Sequence, residues 1–301
     1  MFDGFKTERL ETTTTNIHVR IGGEGPPLLL LHGYPQTHVT WHRVAPDLAE
    51  NFTVVVPDLR GYGDSGTPPT DTDHAPYGKR AMALDQVDMM SGLGFDEFAV
   101  CGHDRGARVA YRLALDHPER VSHMCSLDVI PTGDMWRNTD KERAIGAFHW
   151  MFLAQPHPKP ETMIDHDPDY FLQWLLKSWA ADGFEFDADA MDEYLRCFRK
   201  PDVIHATCED YRAGATFDDA LDEADRAEGR KIQCPVLFLW GAICGFGGPK
   251  SGGTGGPPDP LDAWRQWADD VSGGAVDCGH FLPEEAPGEV VQRLKAFLTP
   301  G

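Results

Sequence analysis

The chain has 301 residues, 41% of them hydrophobic, enough for one large domain or a domain carrying an insertion. A formal net charge of −21 with no basic stripe argues against a nucleic-acid partner, and the longest apolar patches, such as Leu28-Leu29-Leu30-Leu31, are too short to cross a membrane. Seven scattered cysteines form no Cys-x-x-Cys pair, and Met1-Phe2-Asp3-Gly4-Phe5-Lys6 lacks a secretory layout, so reduced thiols and a cytoplasmic location are expected.

In chain order, Glu11 to Gly23 reads as a strand or hairpin in which Ile17, Val19 and Ile21 alternate. Pro26 to Gly33 reads as a buried strand running into His32-Gly33-Tyr34-Pro35-Gln36. Trp41 to Ala49 is helix-like, and Phe52 to Val56 is a strand closed by Pro57-Asp58-Leu59-Arg60-Gly61. Lys79 to Leu93 carries apolar residues at helical spacing. Phe98 to Cys101 is a buried strand and Ala107 to Asp116 a helix; Val121 to Asp128 is strand-like again. Repeated strand–loop–helix units imply an α/β fold with a mainly parallel sheet and helices on both faces. From about Thr132 to Gly214 the chain turns aromatic and helical with no convincing strand, which reads as an inserted helical cap. The alternation then resumes with a helix near Phe217 to Glu228 and a strand at Pro235 to Trp240. Gly245 to Pro260 is a loop dense in glycine and proline. Leu261 to Val271 reads as a helix, Ala275-Val276-Asp277 as a short last strand, and Glu289 to Leu298 as an amphipathic helix. The expected organisation is a core of 1–131 and 215–301 with a cap of 132–214.

The stretch Gly102-His103-Asp104-Arg105-Gly106 has the form Gly-x-Asp-x-Gly between a buried strand and a helix. Such a turn bends sharply and lifts its middle side chain clear of the sheet, above a helix N-terminus. Here that side chain is a carboxylate where acyl transfer would use a hydroxyl, which points to displacement at an alkyl carbon. Asp128 follows the next strand and Cys278-Gly279-His280 the last one. In parallel sheets, sites gather at these C-terminal strand ends. The chain order is that of nucleophile, acid and base: Asp104 attacks and forms an ester, and His280, oriented by Asp128, activates the water that hydrolyses it. The backbone N–H groups of Tyr34 and Arg105 are the candidate oxyanion donors. Trp240-Gly241-Ala242-Ile243 offers no carboxylate at the alternative acid position. Arg105 and Arg108, three apart on one helix face, suit a substrate carboxylate.

The chain resembles the α/β-hydrolase superfamily along nearly its whole length, and so an eight-stranded, mostly parallel sheet is implied. Within it, Gly102-His103-Asp104-Arg105-Gly106-x-Arg108, His149-Trp150, Cys208-Glu209-Asp210-Tyr211-Arg212-Ala213 and Cys278-Gly279-His280-Phe281-Leu282-Pro283-Glu284-Glu285 resemble the haloacetate (fluoroacetate) dehalogenases. The resemblance implies that Asp104 displaces halide and that Arg105 and Arg108 hold the haloacid carboxylate. It also implies that His149, Trp150 and Tyr211 receive the halide, that Trp179 lines the access path, and that the enzyme is a homodimer. His103 is expected to pack beside the elbow.

An epoxide hydrolase would use the same Asp, His and acid, with Tyr211 as one acid donor, but would leave the arginine pair without a task. A haloalkane dehalogenase would place tryptophan where Arg105 stands, and a serine esterase needs a hydroxyl at the elbow. A non-catalytic binding scaffold would show a broken triad. No metal or organic cofactor is implied, since there is no clustered ligand spacing and no phosphate-binding glycine fingerprint. The acidity is that of a soluble surface or of adaptation to high salt.

Overall fold

The computed structural model describes residues 1–243 and 259–299. Strands β1 (Lys6–Glu11), β2 (Asn16–Gly22), β3 (Pro27–Leu31), β4 (Thr53–Pro57), β5 (Phe98–His103), β6 (Val121–Leu127), β7 (Val236–Gly241) and β8 (Val271–Val276) form one sheet in the order β1-β2-β4-β3-β5-β6-β7-β8. β2 runs antiparallel to both β1 and β4, and every other pairing is parallel. This is the expected α/β-hydrolase sheet. Its centre is carried by apolar runs: Leu28 to Leu31 are fully buried, each worth about 2 kcal/mol relative to exposure.

The helices are α1 (Ala45–Leu48), α2 (Lys79–Gly92), α3 (Arg105–Asp116), α4 (Thr132–Arg137), α5 (Lys141–Gly146), α6 (Phe148–Leu153), α7 (Lys159–Asp165), α8 (Pro168–Trp179), α9 (Ala188–Phe198), α10 (Pro201–Ala215), α11 (Phe217–Glu228), α12 (Leu261–Arg265), α13 (Leu282–Glu285) and α14 (Pro287–Leu298). Helices α4 to α10 follow one another without a strand, between β6 and α11. Helix α3 starts directly behind Asp104 and packs on β5 and β6. No helix among the described residues is long and apolar enough to cross a membrane.

Four sequence expectations are corrected. β1 is an additional strand, absent from the expected elements because its side chains are mostly exposed and carry no apolar alternation. Trp41 to Ala49 is a 3-10 turn at His38–Trp41 followed by the one-turn α1, with Pro46 unable to continue a helix begun before it. The helix expected over Leu261 to Val271 ends at Arg265. The last strand begins at Val271 rather than Ala275, its Ser272-Gly273-Gly274 interior giving no apolar signal. Most of the glycine-rich loop expected at 245–260 lies outside the described residues.

One buried carboxyl ties three of these segments together. Glu284 on α13 accepts from Gln36 Nε2, just after Tyr34, and from the Tyr194 hydroxyl on α9 at 3.1 Å. Burial pushes its carboxyl up to about 8, against Gln36, Tyr194 and Arg43, which favour the charge. The folded state therefore holds this proton where the unfolded chain has lost it, so stability falls as pH rises from the ordinary glutamate range to about 8. Glu284→Gln is expected to remove that loss, on the order of a few kcal/mol. Thermal melts from pH 6 to 9 check it; equal slopes for both proteins would refute it.

Candidate active site

The elbow forms because three glycines let backbone segments approach. A Cβ on Gly102 would lie 2.4 Å from the Ala107 nitrogen, one on Gly106 2.4 Å from the carbonyl oxygens of Leu31 and His32, and one on Gly33 2.5 Å from Asp104 Cβ. Asp104 sits between them at φ 48°, ψ −116°, a region that a residue with a Cβ occupies only under constraint. Its Oδ1 accepts from the Tyr34 backbone N–H at 2.8 Å, while its Oδ2 lies 4.0 Å from His280 Nε2. One oxygen is thus held by a backbone N–H, and the other lies on the side of His280.

His280 Nδ1 is 2.6 Å from Asp128 Oδ2, and Asp128 Oδ1 accepts from the Gly241 N–H at 2.9 Å. Asp128 is itself at φ 62° at the end of β6. The carboxylate fixes the Nδ1–H tautomer and leaves Nε2 unprotonated on the Asp104 side. Burial disfavours the imidazolium, but the Asp128 hydrogen bond and charge outweigh it and raise the His280 pKa. His103 is buried beside the elbow and donates through Nε2 to the His280 carbonyl at 2.7 Å. Burial and the His280 charge push it down to about 3, so it remains neutral. Asp104 is buried too, which opposes its charge, yet His280, Arg105 and the Tyr34 N–H hold its carboxyl below the usual range.

The expected substrate and halide groups surround this carboxylate. Arg105 and Arg108 are both buried, and each acts electrostatically on Asp104. The Arg108 guanidinium lies 4.5 Å from the Trp150 ring centre and donates through Nη1 to the Ile130 carbonyl at 2.8 Å. The Arg105 guanidinium lies 4.2 Å over the Tyr211 ring and 5.3 Å from Trp150. The His149 ring stands 4.5 Å from Trp179 and 5.6 Å from Tyr211. Among the described residues, four buried polar atoms here have no hydrogen-bond partner: Arg105 Nη1, Arg108 Nε, His149 Nδ1 and Tyr211 Oη. Such a group costs about 1–3 kcal/mol, so four clustered near Asp104 make this a candidate site for a polar ligand. Burial pushes His149 down to about 3 and Tyr211 well above its ordinary range. Both are neutral donors over the working pH range, able to face a departing anion. Trp179 also meets His280, 5.7 Å from its ring, and its carbonyl accepts from the His280 backbone N–H at 3.0 Å.

The two arginines do not present equivalent open forks: Arg105 is paired to Asp210, through Nε at 3.1 Å and through Nη2 to its carboxylate and its carbonyl. Asp210 also accepts from Lys79 Nζ and from the Tyr62 hydroxyl at 2.7 Å. The sequence alone assigns no role to Asp210, Lys79 or Tyr62. The available signal is a carboxylate next to Tyr211 in the Cys208–Ala213 stretch that resembles the dehalogenases. The Tyr34 hydroxyl, also buried and unpartnered among the described residues, carries no sequence signal beyond that of its backbone N–H.

Two groups of described residues have metal-ligand chemistry. In His18, His38 and Asp58 the carboxylate already accepts from both rings and from the His38 and Asp64 N–H groups. In His157, Glu161 and His205 the Arg212 guanidinium contacts both carboxylate oxygens. In each, the carboxylate is committed to protein donors.

The sequence profile of the alpha/beta hydrolase fold matches residues 26–287. The chain is 42% identical to the fluoroacetate dehalogenase of a Burkholderia species, over 99% of this chain and 95% of that one. It is 34% identical to the soluble epoxide hydrolase of Corynebacterium sp. strain C12, over 94% of each. A crystal structure of an alpha/beta hydrolase from Nostoc sp. PCC 7120 superposes with a TM-score of 0.94 at 53% identity, covering all of both chains. With an elbow carboxylate, an acid and a histidine at the ends of three parallel strands, and these relatives along its full length, the chain belongs to the α/β-hydrolase family.

Proposed function

We propose that this protein is a hydrolytic dehalogenase of haloacetates, converting fluoroacetate to glycolate and fluoride through a covalent ester on Asp104. The observation that carries this reading is the cluster of donors unpartnered among the described residues, two cationic and two neutral, near the buried Asp104 carboxylate. Arg108 and the free end of Arg105 hold the substrate carboxylate and offset its repulsion by Asp104. Asp104 Oδ2 attacks the carbon bearing halogen as the carbon–halogen bond breaks, and the halide leaves with the bonding pair. His149, Trp150 and Tyr211 receive it, a role suited to fluoride, which is a poor leaving group and a strong hydrogen-bond acceptor. His280 then takes a proton from water attacking Cγ of Asp104, and negative charge develops on Oδ1 beside the Tyr34 and Arg105 N–H groups. Breaking the Cγ–Oδ2 bond, with the proton on His280 passing to the departing oxygen, releases glycolate. In this reading 132–214 forms a cap over the core segments 1–131 and 215–301, and the enzyme acts in the cytoplasm as a homodimer. Tyr170, Trp174 and Met163, exposed on α7 and α8, offer an apolar surface for a second copy.

A second reading is epoxide hydrolysis. It is favoured by the 34% identical relative and by the phenols of Tyr34 and Tyr211, unpartnered among the described residues, whose rings are 5.2 Å apart. Halide release from fluoroacetate and chloroacetate, by wild type beside Asp104→Ala, separates the readings. Fluoride release by the wild type alone supports the proposal. Release from chloroacetate only keeps the mechanism but removes the fluoride role of His149, Trp150 and Tyr211. No halide release together with diol formation from an epoxide favours the second reading.

A further inference from the structure

The Arg105 side chain is fully buried, and so are Asp210 and Lys79 beside it. Lysine is almost never fully buried unless paired, and a buried ion network is poor evidence for stability, because desolvation offsets much of the Coulomb gain. The network therefore calls for a role beyond stability. Its members come from four separate elements. Arg105 opens α3, Asp210 and Gly214 lie on α10, Lys79 opens α2, and Tyr62 sits in the loop after β4. Asp210 occupies Nε and Nη2 of Arg105, so the guanidinium plane is fixed over Tyr211 and only Nη1 is left unpartnered among the described residues. Gly214, one turn beyond Asp210, leaves room for this: a Cβ there would be 3.1 Å from Arg105 Nη2. Tyr62 and Lys79 hold the Asp210 carboxylate from the other side, and Asp218 Oδ2 lies 3.7 Å from Lys79 Nζ.

We propose that Asp210, held by Lys79 and Tyr62, is a positioning residue that aims the free Nη1 of Arg105 at the substrate carboxylate. The assignment rests on the dehalogenase reading for the identity of the substrate, but its own content is the geometry of a monocarboxylate clamp. It also explains why a site for an anion tolerates a buried aspartate beside its clamp. Lys79 offsets the aspartate charge, so Asp210 orients Arg105 without cancelling it.

The test is the affinity for acetate, an unreactive monocarboxylate, measured by titration calorimetry. Asp210→Asn alone changes charge and geometry together and leaves a buried lysine poorly paired. Lys79→Met/Asp210→Asn removes one charge of each sign, so the net charge is kept and the orientation of Arg105 is what is lost. Acetate binding is expected to weaken at least about ten-fold in this double variant, the size of one charge-assisted hydrogen bond. In an Arg105→Met background the same two substitutions are expected to change it less than about two-fold, because they act through Arg105. Unchanged affinity in the double variant, an equal further loss in the Arg105→Met background, or no measurable acetate binding by the wild type would each overturn the proposal. Halide release by the wild type, assayed alongside, judges the dehalogenase reading separately: its absence removes that reading while the acetate cycle still decides the role of Asp210.

Discussion

His280→Gln is expected to release one halide per enzyme from fluoroacetate and then stop, with the carboxymethyl ester trapped on Asp104. The reason lies in the different needs of the two steps. Displacement requires an ionised Asp104, which the neighbouring positive charges favour, and a clamped substrate; no proton moves to or from His280. Hydrolysis requires a base near Cγ, and the His280 Nε2, 4.0 Å from Asp104 Oδ2, is placed to act through a water between them. Removing it should lower kcat roughly 10⁴-fold, the scale of losing a triad base. Intact-protein mass spectrometry should then show a mass increase of one carboxymethyl group, located to Asp104 by peptide mapping. A single wild-type turnover in ¹⁸O-water tests the same route without a variant. Water attacks Cγ and the Cγ–Oδ2 bond breaks, so the label enters Asp104 and the first glycolate carries protein oxygen. Label in the first product, or repeated turnover by the His280 variant with no adduct, would mean that water attacks the substrate directly.

The sheet and the strand-end positions of Asp104, Asp128 and His280 are legible in the sequence because they are written locally. β3 and β5 are short apolar runs, and Gly102, Asp104 and Gly106 state a backbone bend that few other residues could make. Asp128 and His280 follow from counting strands. β1 is not legible, since a solvent-exposed edge strand has no apolar period to read. The pairing of Arg105 with Asp210 is not legible either. The two residues are 105 positions apart, and spacing within α3 says only that Arg105 and Arg108 share a face. Which nitrogens of an arginine are spent on a partner is a tertiary fact. Glu284 is similar: in sequence it looks like one of two surface glutamates. Its neighbour Glu285 accepts from the Gly279, Phe281 and Ala181 N–H groups, while Glu284 is turned inward to Gln36 and Tyr194.

The Asp128 carboxylate sets both the tautomer and the basicity of His280, so Asp128→Asn should act on rate and on pH profile at once. In the native site, burial alone would push the imidazole below its ordinary value of about 6.5, and the Asp128 hydrogen bond and charge reverse the sign. The base must be neutral to accept a proton, so ester hydrolysis should decline as pH falls through this raised pKa. Activity should thus be lost at a higher pH than an unperturbed histidine would dictate. The raised folded-state pKa also means that the His280–Asp128 pair adds stability fully below the unfolded imidazole pKa and loses it as pH rises through the folded one. Asparagine removes the charge, and burial then dominates, so the acid limb should move to lower pH. An asparagine amide donating to Nδ1 would leave the proton on Nε2, the tautomer that cannot act as base, so kcat should fall roughly 10⁴-fold. The two effects oppose each other in acid: more of the imidazole is neutral there, yet it is neutral in the wrong form. The ester should accordingly accumulate across the pH range, with halide released once per enzyme, as in the His280 variant. Rapid-quench measurement of ester and halide between pH 5 and 9 reads both. An Asp128→Asn enzyme within three-fold of wild type and with an unmoved acid limb would show that neither the tautomer nor the basicity of His280 depends on Asp128.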